Sequence, residues 1–499
     1  MAPLPSIFVF FLVLFTSSNL FAPSHTLLLQ SEPSDEAFTS VLISQNGLDF
    51  LKDVLVTKAI SSMIPLILPR IEKSVKIPFV GNIEMVLSNV TIYEIGAPTS
   101  YIRPGDTGVT IITSETTCNL SMNWYYSYST WLFPVDVTDK GRASVQVHGM
   151  EVGLTIALEN NGGILKLSLL ECGCHVHDIS INLDGGASWL YQGMIDAFED
   201  QISSAVENAI TKKLQEGMVK LNSIIQDLPK EIPVDDNASV NVTFVDDPLL
   251  TNSSIGFGIN GLFITRENVP PVRYSTWGFQ LPVFCQDPAK MLGISLDEAV
   301  FKSAAGLYFD TEYMQWIVDK VPDQSLLNTA GWRFIIPQLY KKYPNHDMDM
   351  NITLSAPPDI RISEDNIGAT VYADLVIDVL EEEDVIPVAC ISLVIRGSGS
   401  VKIVQNNLAG SVKLNDFSMS LKWSNIGTLR LYLIQPVIWT AIQTVLLPYA
   451  NSHLAKGFPL PIIHGFTLQN AEIILTASRI TVCSDVSYAD EENLRYPYP

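Results

Sequence analysis

Cys172-Gly173-Cys174-His175-Val176-His177 brings four metal-binding side chains into one short stretch. In an extended strand, Cys172 and Cys174 point to one face and His175 and His177 to the other, so the four do not close a tetrahedral site on one ion. Strand packing or a disulfide remains, and no metal is assigned. Gly256-Phe257-Gly258-Ile259-Asn260-Gly261 spells G-x-G-x-x-G. Leu262-Phe263-Ile264 continues it as strand rather than opening a helix, so the phosphate-binding geometry is missing. The acidic run Glu381-Glu382-Glu383-Asp384 reads as a solvated loop, since a calcium loop needs spaced oxygen ligands around a glycine turn. With no G-x-S-x-G, H-E-x-x-H or P-loop in the chain, and no evident triad among seven histidines, no catalytic residue and no cofactor are assigned. A different chemistry is offered by the aromatic run from Trp124 to Phe133. Trp124, Tyr126, Tyr128 and Trp131 each join an apolar body to a polar handle, which suits a lipid or membrane interface. The alternative is that alternating members pack as core.

The elements that must position these groups centre on residues 184–226. Apolar residues recur at helical spacing through Leu190, Met194, Phe198, Ile202, Ala205, Ala209, Leu214, Met218, Leu221 and Ile225, with Glu199, Asp200, Glu207, Lys212 and Glu216 off that stripe. A helix of some 35 residues spans about 50 Å, longer than an ordinary compact domain, so its cover is predicted to be a long curved sheet. Asp184, Gly185 and Gly186 supply turn chemistry before it, and Pro229 and Pro233 close the segment. Before the helix, residues 85–93, 109–126, 143–158 and 164–174 read as consecutive antiparallel strands, with a hairpin at 159–163. An earlier helix, from about residue 42, is expected to end or kink at Ile64-Pro65 and Pro69. Beyond a proline-bearing linker at 266–290 the order repeats: Ile294-Ser295 echoes Ile43-Ser44, and Ile336-Pro337 echoes Ile64-Pro65. Strands then precede a second long helix at 435–456 and a last strand at 471–483.

The first residues carry an apolar run from Ile7 to Phe15 ahead of Ala22 and Ser24, which reads as a signal peptide over 1–24, with an uncleaved anchor as the alternative. Six N-x-S/T sequons, at Asn89, Asn119, Asn237, Asn241, Asn252 and Asn351, agree with a secreted glycoprotein. The formal net charge of −23 argues against nucleic acid and against cationic attraction to anionic lipid. A local basic patch, Arg70, Lys73 and Lys76, reads first as a solvated terminus. Six cysteines allow 15 pairings, and none is assigned.

Four motifs, Ile43-Ser44-Gln45-Asn46-Gly47-Leu48-Asp49, Lys342-Tyr343-Pro344, Ser424-Asn425-Ile426-Gly427 and Lys456-Gly457-Phe458-Pro459-Leu460-Pro461, occur in the order helix, strands, long helix, strand. In this the chain resembles the family of bactericidal/permeability-increasing protein and lipopolysaccharide-binding protein, in its plant branch. The resemblance implies an α+β fold: an elongated boomerang of two similar barrels, each a twisted antiparallel sheet around a long helix, joined by a central sheet. The implied layout is an amino-terminal lipid-binding barrel at 25–265, the linker and central sheet at 266–290, a carboxy-terminal barrel at 291–485 and a tail at 486–499. It also implies non-enzymatic binding of lipopolysaccharide or phospholipid in apolar pockets, which makes Leu190, Met194, Phe198 and Ile202 pocket candidates. The implied protein is secreted and extracellular, with the vacuole an alternative destination, and serves innate immune recognition of bacteria. The alternative function is transfer of endogenous lipids. Two departures stand out. The first long helix lacks the cysteine that family members often bridge to a cysteine just before it. Only Lys140 and Arg142, beside Asp136 and Asp139, follow the aromatic run where antibacterial members carry lysines.

Overall fold

In the strand Gly81–Gly96 the inward side chains are Ile83, Met85 and Leu87, then Val90 and Ile92, so the apolar period changes parity partway along. The change is absorbed by a bulge: Asn89 takes a positive φ of 54°, and pairing with the next strand shifts register between Ser88 and Thr91. The protein is represented here by a computed structural model that describes residues 36–489, except 78–80, 130–135, 184–187, 266–282, 284, 311–313, 322–323, 383 and 463–464. The side chains of 77, 183 and 188–197 also lie outside the described set. The expected signal peptide at 1–24, the turn at 184–186, most of the linker and most of the tail fall outside it too.

The chain divides into two units. The first comprises Ile43–Leu228 and Asp247–Gly256. Its sheet runs through Gly81–Gly96, Gly108–Ser129, Asp136–Asn161 and Ile164–His175, all antiparallel neighbours. Leu66–Ile67, Ile71–Ile77, Thr99–Gly105 and Asp178–Leu183 pair along its flanks. The hairpin expected at 159–163 is present, with Gly162 and Gly163 at positive φ and Asn161 opposite Ile164. The helix Gln45–Met63 is capped by Ser44, whose hydroxyl accepts from the Gly47 amide, and it ends where Ile64-Pro65 removes the next donor.

The 39-residue helix Ser188–Gln226 lies along the sheet. Phe198, Ile202, Val206, Ile210 and Leu214 enter one buried cluster with Ile83, Leu120, Val145, Val147 and Met150. Its polar residues face the edge strand. Asn222 Oδ1 accepts from the Leu167 amide at 2.9 Å, and Gln226 Nε2 donates to the Leu165 carbonyl at 3.0 Å. Just past the strand's end, Glu207 Oε1 accepts from the Val176 amide at 2.8 Å. Glu207, which the stripe placed in solvent, is therefore a structural partner of the sheet.

Among the described residues, the second unit comprises 36–42, Pro229–Asp246 and the part of the chain from Phe257 onward. Its main sheet contains Gln315–Val318, Asp347–Leu354, Ile367–Glu381, Asp384–Val404, Asn407–Ser424 and Phe458–Pro459 in that order, with Asp359–Ile362 added beside Ile367–Glu381. The second long helix runs continuously over Leu431–Leu454, within which Ile442–Leu446 forms a π-helical turn. Ile434, Val437, Ile438 and Ile442 pack with Met350, Leu375, Ile377 and Leu393. Leu292–Asp297 pairs with Arg479–Tyr488, which pairs in turn with Phe466–Thr476.

Two expectations are corrected here. The division falls near Leu228 rather than in the linker at 266–290. The reason is packing: Ala238 and Val240, with Leu262 and Phe263, bury against Ala299, Val300 and Leu307 of the helix Glu298–Asp310. The echo of Ile64-Pro65 by Ile336-Pro337 also differs, because Pro337 opens the short helix Pro337–Lys342 instead of ending one.

Of the six cysteines, Cys285 and Cys483 are bonded, which ties the segment just before the strand Leu292–Asp297 to the last strand, Arg479–Tyr488. Replacing both by serine is expected to destabilise this unit by about 2–4 kcal/mol through the loop closure it removes. Denaturant unfolding with tryptophan substitutions that report each unit separately checks this, and the first unit's transition should not move.

Candidate functional site

The inner face of the first unit's sheet can be traced by register. Ile102 lies opposite Ile111, which lies opposite Leu154, which lies opposite Cys172. In the same way Pro104, Val109, Ile156 and Leu169 form the next row. Along the strand Asp136–Asn161, the inward residues Val145, Val147 and Met150 are fully buried. From Val152 through Leu154, Ile156 and Leu158, the same face is only half-buried, as are Ile111 and Leu169. An apolar interior that is sealed around Met150 is therefore more accessible toward its other end at Val152, Leu154 and Ile156, although Ile102 and Val109 in the same rows, and Leu167 opposite Leu158, stay buried.

The helix Gln45–Met63 reaches that accessible end. Gln45 Nε2 donates to the Ile102 carbonyl at 3.2 Å, and Lys52 Nζ donates to the Ser100 carbonyl at 3.0 Å. Lys52 is itself buried, with Asp53 at 3.1 Å and Asp49 at 3.6 Å balancing its charge. The helix carries Leu51, Val54, Leu55 and Ile60, all half-buried. Sequence reasoning passed over this face, although the apolar alternation at 152, 154, 156 and 158 was there to be found.

The pocket candidates separate. Phe198 and Ile202 are buried in the core of the first unit, whereas the side chains of Leu190 and Met194 lie outside the described residues. The interfacial reading of the aromatic strand is corrected for two members. Trp124 is 3 % exposed and Tyr126 is 6 % exposed. Their rings stack at 5.9 Å, Tyr126 stacks on Tyr128 at 6.3 Å, and Trp124 Nε1 donates to the Arg142 carbonyl at 3.0 Å. They occupy the inward positions of Gly108–Ser129, so alternation buries them. Tyr128 packs half-buried against the same cluster, and Trp131 lies outside the described residues.

Cys172 and Cys174 face inward against the core and His175 and His177 outward, as alternation requires. Both cysteines are free, as is Cys118, and burial pushes the Cys118 and Cys174 thiols up to about 12. Such thiols are poor nucleophiles. His175 lies 3.3 Å from Glu207 and His177 lies 3.8 Å from Glu151. Among the described residues no group of three or more His, Cys, Asp or Glu could hold a metal ion. The G-x-G-x-x-G stretch runs through the strand Ser254–Ile259 into a turn at Gly261, and no helix follows it directly. Glu381 lies opposite Asp384 across a hairpin. Arg70 pairs with Glu72 at 2.7 Å, and Lys73 Nζ donates to Gln201 Oε1 at 3.0 Å. Asn89 and Asn252 are exposed, and Asn119, Asn237, Asn241 and Asn351 are half-buried.

One titratable pair stands apart from this face. Asp349 and Asp378 lie directly opposite each other in the second unit, and Asp349 Oδ1 is buried without a partner. Burial raises both carboxyls above the ordinary aspartate range. Asp319 adds to the rise at Asp349, and the charge of Asp349 adds to that at Asp378.

Two units, each an antiparallel sheet packed on a long apolar-striped helix, define an α+β protein of the lipopolysaccharide-binding protein fold; superposition on the crystal structure of lipopolysaccharide binding protein gives a TM-score of 0.66 over 91 % of this chain and 100 % of that one, at 19 % identity. The chain belongs to the LBP / BPI / CETP family, whose N-terminal domain model matches residues 47–228 and whose C-terminal domain model matches residues 233–488. It is 63 % identical to a BPI/LBP family protein of Arabidopsis thaliana, covering 96 % of this chain and 97 % of that protein. It is 25 % identical to the bactericidal permeability-increasing protein of Sebastes schlegelii over 90 % of this chain and 94 % of that one. The human lipopolysaccharide-binding protein is 21 % identical over 93 % of this chain and 96 % of its own length.

Two measurements test these placements. Trp124→Ala should lower the stability of the first unit by about 3–5 kcal/mol, as for a buried aromatic, measured by denaturant unfolding. For the aspartate pair, the folded state holds a proton more tightly than the unfolded chain does. The pair's contribution to stability therefore rises as pH falls from the raised folded value toward the ordinary aspartate value, and that contribution is least favourable at neutral pH. Asp378→Asn should raise the neutral-pH unfolding midpoint of the second unit and flatten that acid-side rise.

Proposed function

We propose that this protein binds an amphiphilic lipid, lipopolysaccharide or a phospholipid, and takes its acyl chains against the half-buried apolar face of the first unit. The observation that carries the reading is the change along one inward face, from fully buried Met150 to half-buried Val152, Leu154 and Ile156. An aqueous catalytic site wants polar groups converging on one point, and this face presents aliphatic side chains instead. Burial supplies the affinity: at about 0.8 kcal/mol per methylene, ten buried methylenes give roughly 8 kcal/mol before ordering costs. Relatives named for lipopolysaccharide binding and for bactericidal permeability increase favour the bacterial lipid and a role in innate immune recognition. In this reading the protein is non-enzymatic and uses no cofactor. It is a glycoprotein secreted behind the leader at 1–24 and glycosylated at Asn89, Asn119, Asn237, Asn241, Asn252 and Asn351.

A second reading, transfer of endogenous phospholipid, is favoured by the charge beside the aromatic strand. Lys140 and Arg142 are accompanied there by Asp136 and Asp139, and the chain as a whole carries −23. An anionic lipopolysaccharide headgroup gains little from that setting.

The test is mass spectrometry of lipid that copurifies with the secreted protein, combined with binding to vesicles with and without lipopolysaccharide. Leu154→Trp with Ile156→Trp fills the face without adding charge, and it should cut bound lipid by about tenfold while leaving the circular dichroism spectrum unchanged. Protein that carries no lipid and binds neither vesicle would overturn the proposal. Exchange between vesicles lacking lipopolysaccharide would favour transfer.

A further inference from the structure

The two long helices differ in what they show to water. Ser188–Gln226 carries Glu199, Asp200, Lys212, Lys213, Glu216 and Lys220. Leu431–Leu454 contains no Asp, Glu, Lys or Arg in its 24 residues, yet most of its side chains are not buried. Tyr432 is 65 % exposed, and Trp439, Tyr449 and Leu454 are also exposed.

The polar side chains of this helix turn back on themselves. Thr440 Oγ1 donates to the Pro436 carbonyl at 2.9 Å, and Thr444 Oγ1 donates to the Thr440 carbonyl at 2.8 Å. Ser452 Oγ donates to the Tyr449 carbonyl at 2.7 Å, and His453 Nδ1 lies 3.0 Å from the same oxygen. Asn451 is spent on the neighbouring strand, where it bonds both the amide and the carbonyl of Val412. Hydroxyls satisfied by their own helix can leave water without an orphaned donor. Gln435 and Gln443 are the remaining amide side chains of the helix, and both are exposed.

Charge brackets this face. Arg430 precedes the helix and Lys456 follows it, both exposed. Lys341 and Lys342 are exposed on the short helix Pro337–Lys342, whose Leu339 packs in one cluster with Ile426, Leu429 and Ile434. On neighbouring strands, Asp374 is paired with Lys422 at 2.7 Å and Asp416 with Arg396 at 3.0 Å. An uncharged face with exposed aromatics and cations at its ends matches a bilayer interface, where apolar atoms enter the acyl boundary and cations meet phosphates.

We propose that the exposed face of the helix Leu431–Leu454 is a membrane-docking surface that lies flat in the headgroup region of an anionic phospholipid bilayer. This surface belongs to the second unit and stands independently of lipid uptake by the first. Docking brings the protein onto its lipid source while the bulk of its negative charge stays in solvent.

The full-length protein is sedimented with vesicles of phosphatidylcholine and phosphatidylglycerol that contain no lipopolysaccharide. Wild type should sediment with them and be released by alkaline carbonate, as a peripheral protein is. Gln435→Glu with Gln443→Glu changes only exposed positions and should weaken docking by about tenfold or more, because each new carboxylate meets both lost hydration and anionic headgroups. Gln215→Glu, exposed on the other long helix, should change it less than about twofold. Gln443→Lys should dock at least as well as wild type. Wild type that ignores these vesicles, a double variant that docks normally, equal loss with Glu and Lys at 443, or wild type that resists carbonate as a spanning helix would each overturn the proposal. Copurifying lipid, measured on the double variant, reports the first unit separately and should be unchanged.

Discussion

The first unit depends on how the open edge of its sheet is satisfied. Among the described residues, the strand Ile164–His175 has a sheet neighbour on one side only, and its other side would present unpaired amides and carbonyls to whatever lies beyond. Asn222 and Gln226, both on the long helix, meet the edge groups of Leu167 and Leu165, and Glu207 meets the amide of Val176 just beyond. Three side chains thus do what a further strand would do, and they also fix the helix against the inner face. A curved sheet with an apolar inner surface is thereby covered without being closed into a full barrel.

Much of the fold was legible in the sequence for a simple reason: period decides the element. The ten-residue stripe ending at Ile225 marked the long helix, and the Asn160-Asn161-Gly162-Gly163 break marked the hairpin. Strand ends were less legible. Gly81–Gly96 and Asp136–Asn161 run well past the segments at 85–93 and 143–158 that alternation marks. The extra length is held by neighbours, including Ile71–Ile77 and Asp178–Leu183, which are too short or too mixed to stand out alone.

The site was less legible than the fold. Trp124 and Tyr126 have the composition of an interface, but burial depends on which face of Gly108–Ser129 they occupy. That parity is set by two register shifts, between Thr113 and Thr116 and between Thr116 and Cys118. Glu207 lies off the apolar stripe, and only the turn after His175 turns it into a hydrogen-bond acceptor for the sheet. Even the inter-unit division followed tertiary packing, since Ala238 and Val240 find their partners on a helix well downstream. In each case the missing information is a contact distant in sequence rather than a property of the residue.

The bulge at Asn89 carries a consequence for how this strand changes over evolutionary time. It uncouples the facing of Ile83, Met85 and Leu87 from that of Val90 and Ile92. A one-residue insertion on either side would therefore invert only the half in which it fell, and the bulge is a natural place for the misfit to be reabsorbed. The two halves can drift in length as separate modules, with the sequon asparagine marking the seam between them.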